Sequence, residues 1–483
     1  MSSSPKSKSA SLLDIFKYAL GDGAFSIALN GANNFAMIYM TQILGLSPSW
    51  AALALSVSIL WDAVSYPIMG HISDNTRTRW GRRLPYIFSG GLIMAVFFFT
   101  SWSLPQLLQN KIAIFSAVLV INLIFHTFIT VFVVPYTALG FEICPEYESR
   151  ARLQGVRFFV NQITNFTFGA LAWSIFFKDR INAAGERVDG TLIPSNYVTM
   201  GAVLAAFIIG FSLVCSFGSR RYATDNRNDK MHDNSVKAFW NDFSSIFKDR
   251  LAVLVFIFFI VAQLSMMLMG TIQMFTYIFY MQFSALEKTC VHGGGMLAFA
   301  VASLSLSKVV KRYDKKPAGY IGIGLAVFGG LGLLTVFTGG LLQPQQKMNL
   351  LGVSLPIATI VFGLLQICWW GGCGLVVPLA SSIVADIAAI NHKKTGLLRT
   401  ASYASVFGFS IKAACAVGML ICGWLVQSSG IVSGAAHQTP EAVRNISIMT
   451  FAGGPVVLFC SLLLLRRYPI TREYMQQLEK ESV

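Results

Sequence analysis

The stretch SRRYATDNRNDKMHDNSVKAFWNDFSSIFKDR, residues 219–250, is the longest polar segment of the chain. On either side lie apolar runs long enough to cross a bilayer, for which about 20 mostly apolar residues suffice. Before it they fall near 14–44, 50–72, 85–104, 112–141, 153–177 and 197–218. After it they fall near 251–282, 290–311, 317–342, 352–388, 397–428 and 447–466. Six spans, a polar linker and six more spans predict an all-α polytopic membrane protein. Its twelve transmembrane helices should form two pseudo-symmetric six-helix bundles. The expected units are a tail over 1–13, bundles over 14–218 and 251–466, the linker 219–250, and a tail over 467–483. The linker is too short for an enzymatic domain, though an amphipathic piece around Phe239–Phe247 is expected in it.

Composition agrees with that reading. Of 483 residues, 54% are hydrophobic and 12% charged, and the mean hydropathy is +0.61. A soluble domain carries about a quarter charged residues, so a soluble enzyme, a disordered protein and a disulfide scaffold are excluded. Eight scattered cysteines show no C-x-x-C pair and no zinc spacing, so they read as small apolar residues. Lysine and arginine number 37 against 22 acids, a net charge of +15. In so apolar a chain that excess belongs beside a membrane and not on nucleic acid.

The basic residues also sort by loop. Arg77, Arg79, Arg82 and Arg83 follow the second span, and Arg150 and Arg152 follow the fourth. Lys308, Lys311, Arg312, Lys315 and Lys316 follow the eighth, and Lys393, Lys394 and Arg399 the tenth. Loops of opposite parity hold few, such as Lys111 and Lys347. By the positive-inside rule both termini and the linker are expected in the cytoplasm, with the protein in the cytoplasmic (inner) membrane. The N-terminal MSSSPKSKSASLLD has no signal-peptide pattern and reads as a cytoplasmic tail. WGRRLPYI (80–87) after the second span is echoed by YDKKPAGYI (313–321) after the eighth. That echo fits a repeated bundle with the binding site between halves, near the bilayer midplane.

A charge at the centre of a spanning helix costs about 2.5–3.5 kcal/mol on insertion scales, so each needs a partner or a wet cavity. Asp22, Asp62, Arg157 and Lys412 are such charges. Asp62 and Lys412 both lie near mid-depth, one in each half, and are expected to meet across a central cavity. The competing reading is a fixed structural ion pair. Ser65 and Tyr66 share the face of Asp62 at i+3 and i+4. Arg157 reads either as a substrate-binding group or as a side chain snorkelling to the interface. Asp22 with Asn30, Asn33 and Asn34 gives the first helix a polar stripe suited to a cavity wall. His126 reads first as packing. Trp369 and Trp370 sit mid-span, away from the interfacial belts, where one of them could stack on a sugar ring.

GHISDNTRTRWGRR (70–83) resembles the loop motif of the major facilitator superfamily. YALGDGA (18–24), WDAVSYPIMGHISDNTRTRWGRRLPYI (61–87), VPYTALGFEICPEYESRARLQGVRFF (134–159), VADIAAI (384–390) and RTASYASVFGFSIKAACAVGMLICGWL (399–425) narrow it. In order and across both halves, these blocks resemble the glycoside–pentoside–hexuronide:cation symporters, the melibiose permease family. The resemblance implies a major facilitator fold, with a cation site at Asp62, Ser65, Tyr66 and Thr130. Arg157 and Lys412 match family positions, and with the polar stripe of Asp22, Ser26 and Asn30 and the mid-span Trp369 and Trp370 they are the residues expected to bind substrate. Asp74, Arg77, Arg82, Arg83, Glu142, Arg150, Asp386 and Arg399 would serve in gating.

Several positions depart from the family pattern. Tyr66 stands where the family has a second acid, Ser26 and Val133 where it has sugar-gripping aspartates, and Ala389 where its tenth helix has a second acid. Sodium needs several oxygen ligands, whereas one proton neutralises a lone carboxylate. The expected coupling ion is therefore H+, with Na+ the alternative, and no cofactor or metal is expected. The expected partners are a sugar or glycoside, the coupling cation and membrane lipid, with no nucleic acid. The alternative function is an uncoupled or lipid-type carrier on the same fold. No H-E-x-x-H, G-x-S-x-G or Walker loop is present, so an enzyme is not expected.

Overall fold

The computed structural model describes residues 11–144, 147–183, 185–222, 244, 246–350, 353–395 and 400–467. Arg399 and most of the Phe239–Phe247 segment lie outside the described residues, as does the Arg150 side chain. The first half contains α1 (Leu12–Ile38), α2 (Pro48–Asn75), α3 (Leu84–Ser103), α4 (Lys111–Ile143), α5 (Tyr147–Asn165) and α6 (Pro194–Gly218). The second contains α7 (Arg250–Phe275), α8 (Ala285–Tyr313), α9 (Lys315–Leu333), α10 (Ile357–Thr395), α11 (Thr400–Ser428) and α12 (Pro440–Arg466).

A bilayer offers backbone groups no hydrogen-bond partners, so every span must satisfy its own. Side chains start several of these helices. Ser11 with Asp14 and Ser284 with Glu287 form capping boxes on α1 and α8. Ser47 caps α2 ahead of Pro48, and Thr439 caps α12 ahead of Pro440. These caps explain two departures from the sequence reading. The eighth span begins at Ala285 instead of near 290, and the twelfth at Pro440 instead of near 447. Both extra turns are too polar to register as apolar sequence.

Ten of the twelve helices are apolar and long enough to cross a membrane, judged on the described residues. The other two, α1 and α5, carry polar stripes, and both line the central cavity described below. Each passes into a π-helical turn, Tyr39–Ile43 after α1 and Phe166–Ala170 after α5. Such turns in long helices often mark functional positions.

The repeat is legible in the packing. α3 packs on α4 and α6, α2 on α4, and α1 on α5 and α6. Adding six to every label gives α9 on α10 and α12, α8 on α10, and α7 on α11 and α12, and all of these occur. The echoed loop motifs do equivalent work. At the start of α3, Arg82 Nη2 lies 2.8 Å from Glu142 Oε1 on α4. At the start of α9, Lys315 Nζ lies 2.5 Å from Asp386 Oδ2 on α10.

Between the halves, α2 packs on α11, and the π turn and last turn after α5 pack on α8. These seams are also exchanged by the six-helix shift. They close the end of the molecule opposite the arginine-rich α2–α3 loop. Gly423 of α11 lies so near Ala52 and the Pro48 carbonyl of α2 that a β-carbon would collide with both. Ser49 Oγ donates to Gln427 Oε1 at 2.5 Å, and Ser56 Oγ to the Ala416 carbonyl at 2.7 Å.

Candidate functional site

The central cavity has two lobes. The larger, about 400 Å³, is lined by Asp62, Tyr66, His126, Gln263, Gln273 and Lys412, among others. The smaller, about 260 Å³, is lined by Asn30, Asn34, Gln162, Asn165 and Met296. Asn34, Met266, His292 and Trp370 line both, so they stand between the two lobes.

Asp62 and Lys412 meet in the larger lobe. Lys412 Nζ donates to Asp62 Oδ2 at 2.8 Å, and Thr130 Oγ1 donates to Asp62 Oδ1 at 2.6 Å. Ser65 Oγ donates to the Asp62 carbonyl and to Thr130 Oγ1, both at 3.1 Å. Tyr66 presents its ring face to the ammonium, 3.1 Å from ring centroid to Nζ, a cation–π contact. The four residues expected at the cation site therefore gather around one carboxylate. A residue of the other half supplies its counter-ion.

Asp22 and Arg157 lie outside the lining of both lobes. Arg157 grips Asp22 through Nε at 2.5 Å and Nη2 at 3.0 Å, a bidentate fork. Tyr136 adds its hydroxyl to Asp22 at 2.8 Å and its ring face to the guanidinium at 5.0 Å. The Tyr136 ring lies where a β-carbon on Gly21 would stand, which explains the glycine before Asp22. Ser26 also stays off the cavity and accepts from Asn30 Nδ2 at 3.1 Å. Breaking such a buried pair costs about 3–5 kcal/mol. Asp22→Asn should therefore lower the thermal midpoint of the purified protein by several degrees, and an unchanged midpoint would contradict this reading.

Trp369 departs from its expected role. It is fully buried against Gly454 of α12, while its neighbour Trp370 lines both lobes. Adjacent helical residues point about 100° apart, so only one of the two can face the cavity. The expected gating residues pair within single halves in this conformation. Arg83 Nη2 lies 2.5 Å from Asp74 Oδ1, and Arg83 also reaches Ser73 and Glu142. Arg77 is exposed.

Other residues escaped the sequence reading. The 177–193 loop reaches from the first half over the start of α8, where Lys288 Nζ is paired with Asp189 Oδ2. Lys288 has no exposed side-chain surface and lies 5.4 Å from the centroid of the Trp173 ring. Arg187 of the same loop donates to the Gln282 carbonyl at 3.1 Å and the Phe283 carbonyl at 2.9 Å. Ser174 and Thr289 complete the seam at 2.7 Å. This loop carries three basic and three acidic residues, Lys178, Arg180 and Arg187 against Asp179, Glu186 and Asp189, and of these Asp189 and Arg187 bind the two halves together. The S-x-x-E of Ser284–Glu287 signals the helix start that places Lys288 inside α8, but no local pattern marks Asp189.

Burial opposes the charge on Asp189, but Lys288 and the Thr191 hydrogen bonds outweigh it and hold the carboxyl below the usual carboxylate range. A depressed carboxyl stabilises the paired state at every pH above its free value, and that contribution disappears only as pH falls through the depressed one. The strap should therefore stay shut across ordinary pH. Labelling of cavity-lining Cys415 from the closed end, measured in an Asp62→Asn, Lys412→Met background and relative to a free thiol at the same pH because the thiolate is the reacting form, should be flat between about pH 5 and 7, and a relative rise below pH 6 would contradict it.

Two six-helix bundles around a central chamber, bridged by an ion pair, define a membrane transporter of the major facilitator superfamily fold. The chain belongs to the MFS/sugar transport protein family, which it matches over residues 17–472. The putative glycoside/cation symporter YagG of Escherichia coli strain K12 is 22% identical over 479 residues, 97% of this chain and 94% of that protein. The isoprimeverose transporter of Lactiplantibacillus pentosus is 22% identical over 445 residues, 92% and 85% of the two chains. The uncharacterized symporter sll1374 of Synechocystis is 33% identical over 145 residues, 29% of this chain and 27% of that protein. Among solved structures, the nucleoside transporter NupG superimposes with a TM-score of 0.63 at 12% identity, over 95% of this chain and 100% of that one. A D-xylose–proton symporter gives 0.58 at 13%, over 95% and 97%. These two likenesses are of fold alone.

Proposed function

We propose that the protein is a proton-coupled symporter of a sugar or glycoside, working by alternating access in the cytoplasmic membrane with both termini in the cytoplasm. The observation that carries it is the Asp62–Lys412 bridge between α2 and α11, on the wall of the chamber. A proton on Asp62 removes the charge that holds Lys412, so protonation loosens one of the two seams between the halves. Transport then follows from rocking the bundles around the chamber.

The two full-length relatives carry names of glycoside and isoprimeverose transporters, which supports a sugar substrate. The coordination around Asp62 supports a proton over sodium. One carboxylate oxygen is taken by Lys412, and the second acid of the family pattern is Tyr66, whose ring covers the lysine. With the arginine-rich end in the cytoplasm, the closed end is the outer one and the described conformation faces inward.

The test is uptake of a labelled sugar panel into proteoliposomes under an inward proton gradient, an inward sodium gradient, or neither. Accumulation under the proton gradient alone is expected. Accumulation under sodium alone would replace the proton by sodium, and uptake of no sugar would reject the sugar reading.

A further inference from the structure

We infer that the smaller lobe is an uncharged subsite for a second sugar ring, so that the chamber selects neutral two-ring glycosides over single rings and over acidic sugars. The inference rests on the sugar-transport reading above and deepens it.

Asn34, Met266, His292 and Trp370 line both lobes, so a ligand with a ring in each would pass between these four side chains. Together the lobes fall within the range of about 300–1,000 Å³ typical of small-molecule sites. Four amide side chains, Asn30, Asn34, Gln162 and Asn165, line the smaller lobe together with the His292 imidazole, and its lining holds no charged side chain. Amides and imidazole can donate and accept, which matches a ring of hydroxyls. Phe166, Trp370 and Met296 supply apolar surface for the C–H faces of such a ring.

Two of these groups lack partners. Asn165 Oδ1 and His292 Nδ1 are buried without a hydrogen bond among the described residues. A buried unpaired polar group costs about 1–3 kcal/mol. Asn165 is the last residue of α5 before the π turn Phe166–Ala170, and His292 stands on α8 just below the Ser174–Thr289 contact. The subsite is thus built on the α5–α8 seam, away from the Asp62–Lys412 seam.

Charge selectivity follows from the pairing of the other ions. Lys412 is spent on Asp62, and Arg157 on Asp22 in a bidentate fork. While Asp62 keeps its charge, as in this structure, no cation among the described residues lining the two lobes stands free to meet a carboxylate. A uronic acid would enter unpaired, which the low-dielectric chamber penalises.

The test is calorimetric binding to the full-length protein in lipid nanodiscs. The probes are neutral disaccharides of hexoses and pentoses, the methyl glycosides of their single rings, and the matching uronides. Wild type should bind its best disaccharide at least tenfold tighter than either methyl glycoside, and the uronide at least tenfold weaker than the neutral disaccharide. His292→Phe and Asn165→Ala should each cut the disaccharide advantage to below threefold. His292→Gln, which keeps a donor and an acceptor, should preserve most of it, separating lost hydrogen bonds from damaged packing. Equal affinity for one-ring and two-ring ligands, an advantage untouched by both damaging variants, or tighter uronide binding would overturn the subsite while leaving sugar transport intact. Binding of no sugar at all would overturn the transport reading itself, and the subsite with it.

Discussion

Asp62→Asn should abolish accumulation driven by a proton gradient. One charge moved across 100 mV is worth about 2.3 kcal/mol, so a one-to-one symporter can concentrate its substrate roughly fifty-fold. The variant should reach no more than the outside concentration. Asparagine can still accept from Thr130, whose hydroxyl now bonds Asp62 Oδ1 at 2.6 Å, but it can neither gain nor lose a proton. It also leaves Lys412 without a counter-ion. Removing one partner of a buried pair costs about 3–5 kcal/mol, and less here because the lysine side chain is 26% exposed. Asp62→Asn with Lys412→Met removes both charges and should recover downhill uptake while still failing to accumulate. Undiminished accumulation in Asp62→Asn would reject Asp62 as the coupling group. Downhill uptake lost equally in both variants would make the pair structural.

Which parts of this site could be read from sequence depended on whether helix periodicity and depth were enough. Asp62 and Lys412 are 350 positions apart, yet each sits at mid-depth in its span, where a lone charge cannot remain unpaired. Ser65 falls beside Asp62 by spacing alone, and Thr130 joins on the neighbouring α4. Rotation about a helix axis was less accessible. Nothing local distinguishes Trp369 from Trp370, because both stand in a run apolar on every side, and packing on Gly454 decides between them. Asp22 and Arg157 were visible as charges but not as partners, since their pairing depends on how α1 lies against α5. Loops were the least legible. Asp189 lies in a segment whose path is set by contacts with the other half.

That loop carries the second large effect. The six-helix shift that exchanges the two seams gives each a lysine–aspartate clasp, Asp62–Lys412 on the α2–α11 seam and Asp189–Lys288 where the 177–193 loop meets α8. The first faces the chamber and can be reached by a coupling ion. The second is the more deeply buried, with Lys288 fully enclosed and Asp189 12% exposed. It therefore acts as a fixed bias toward closure of this end, the outer one in the proposed orientation, and not as a sensor. Lys288→Met leaves Asp189 uncompensated in the closed state, whereas water can reach it in the open one. With about 3–5 kcal/mol lost from the closed state alone, the equilibrium should move toward outer opening by roughly two orders of magnitude or more. Cys415 lines the larger lobe and serves as the natural reporter. Its modification by a membrane-impermeant maleimide applied from outside, followed peptide by peptide, should accelerate at least tenfold. Adding Asp189→Asn should return the rate most of the way, because neither charge then needs a partner and the substituted methionine side chain can still pack on Trp173. An unaltered rate in Lys288→Met would show that the remaining contacts of the two seams keep this end shut without the Lys288–Asp189 pair.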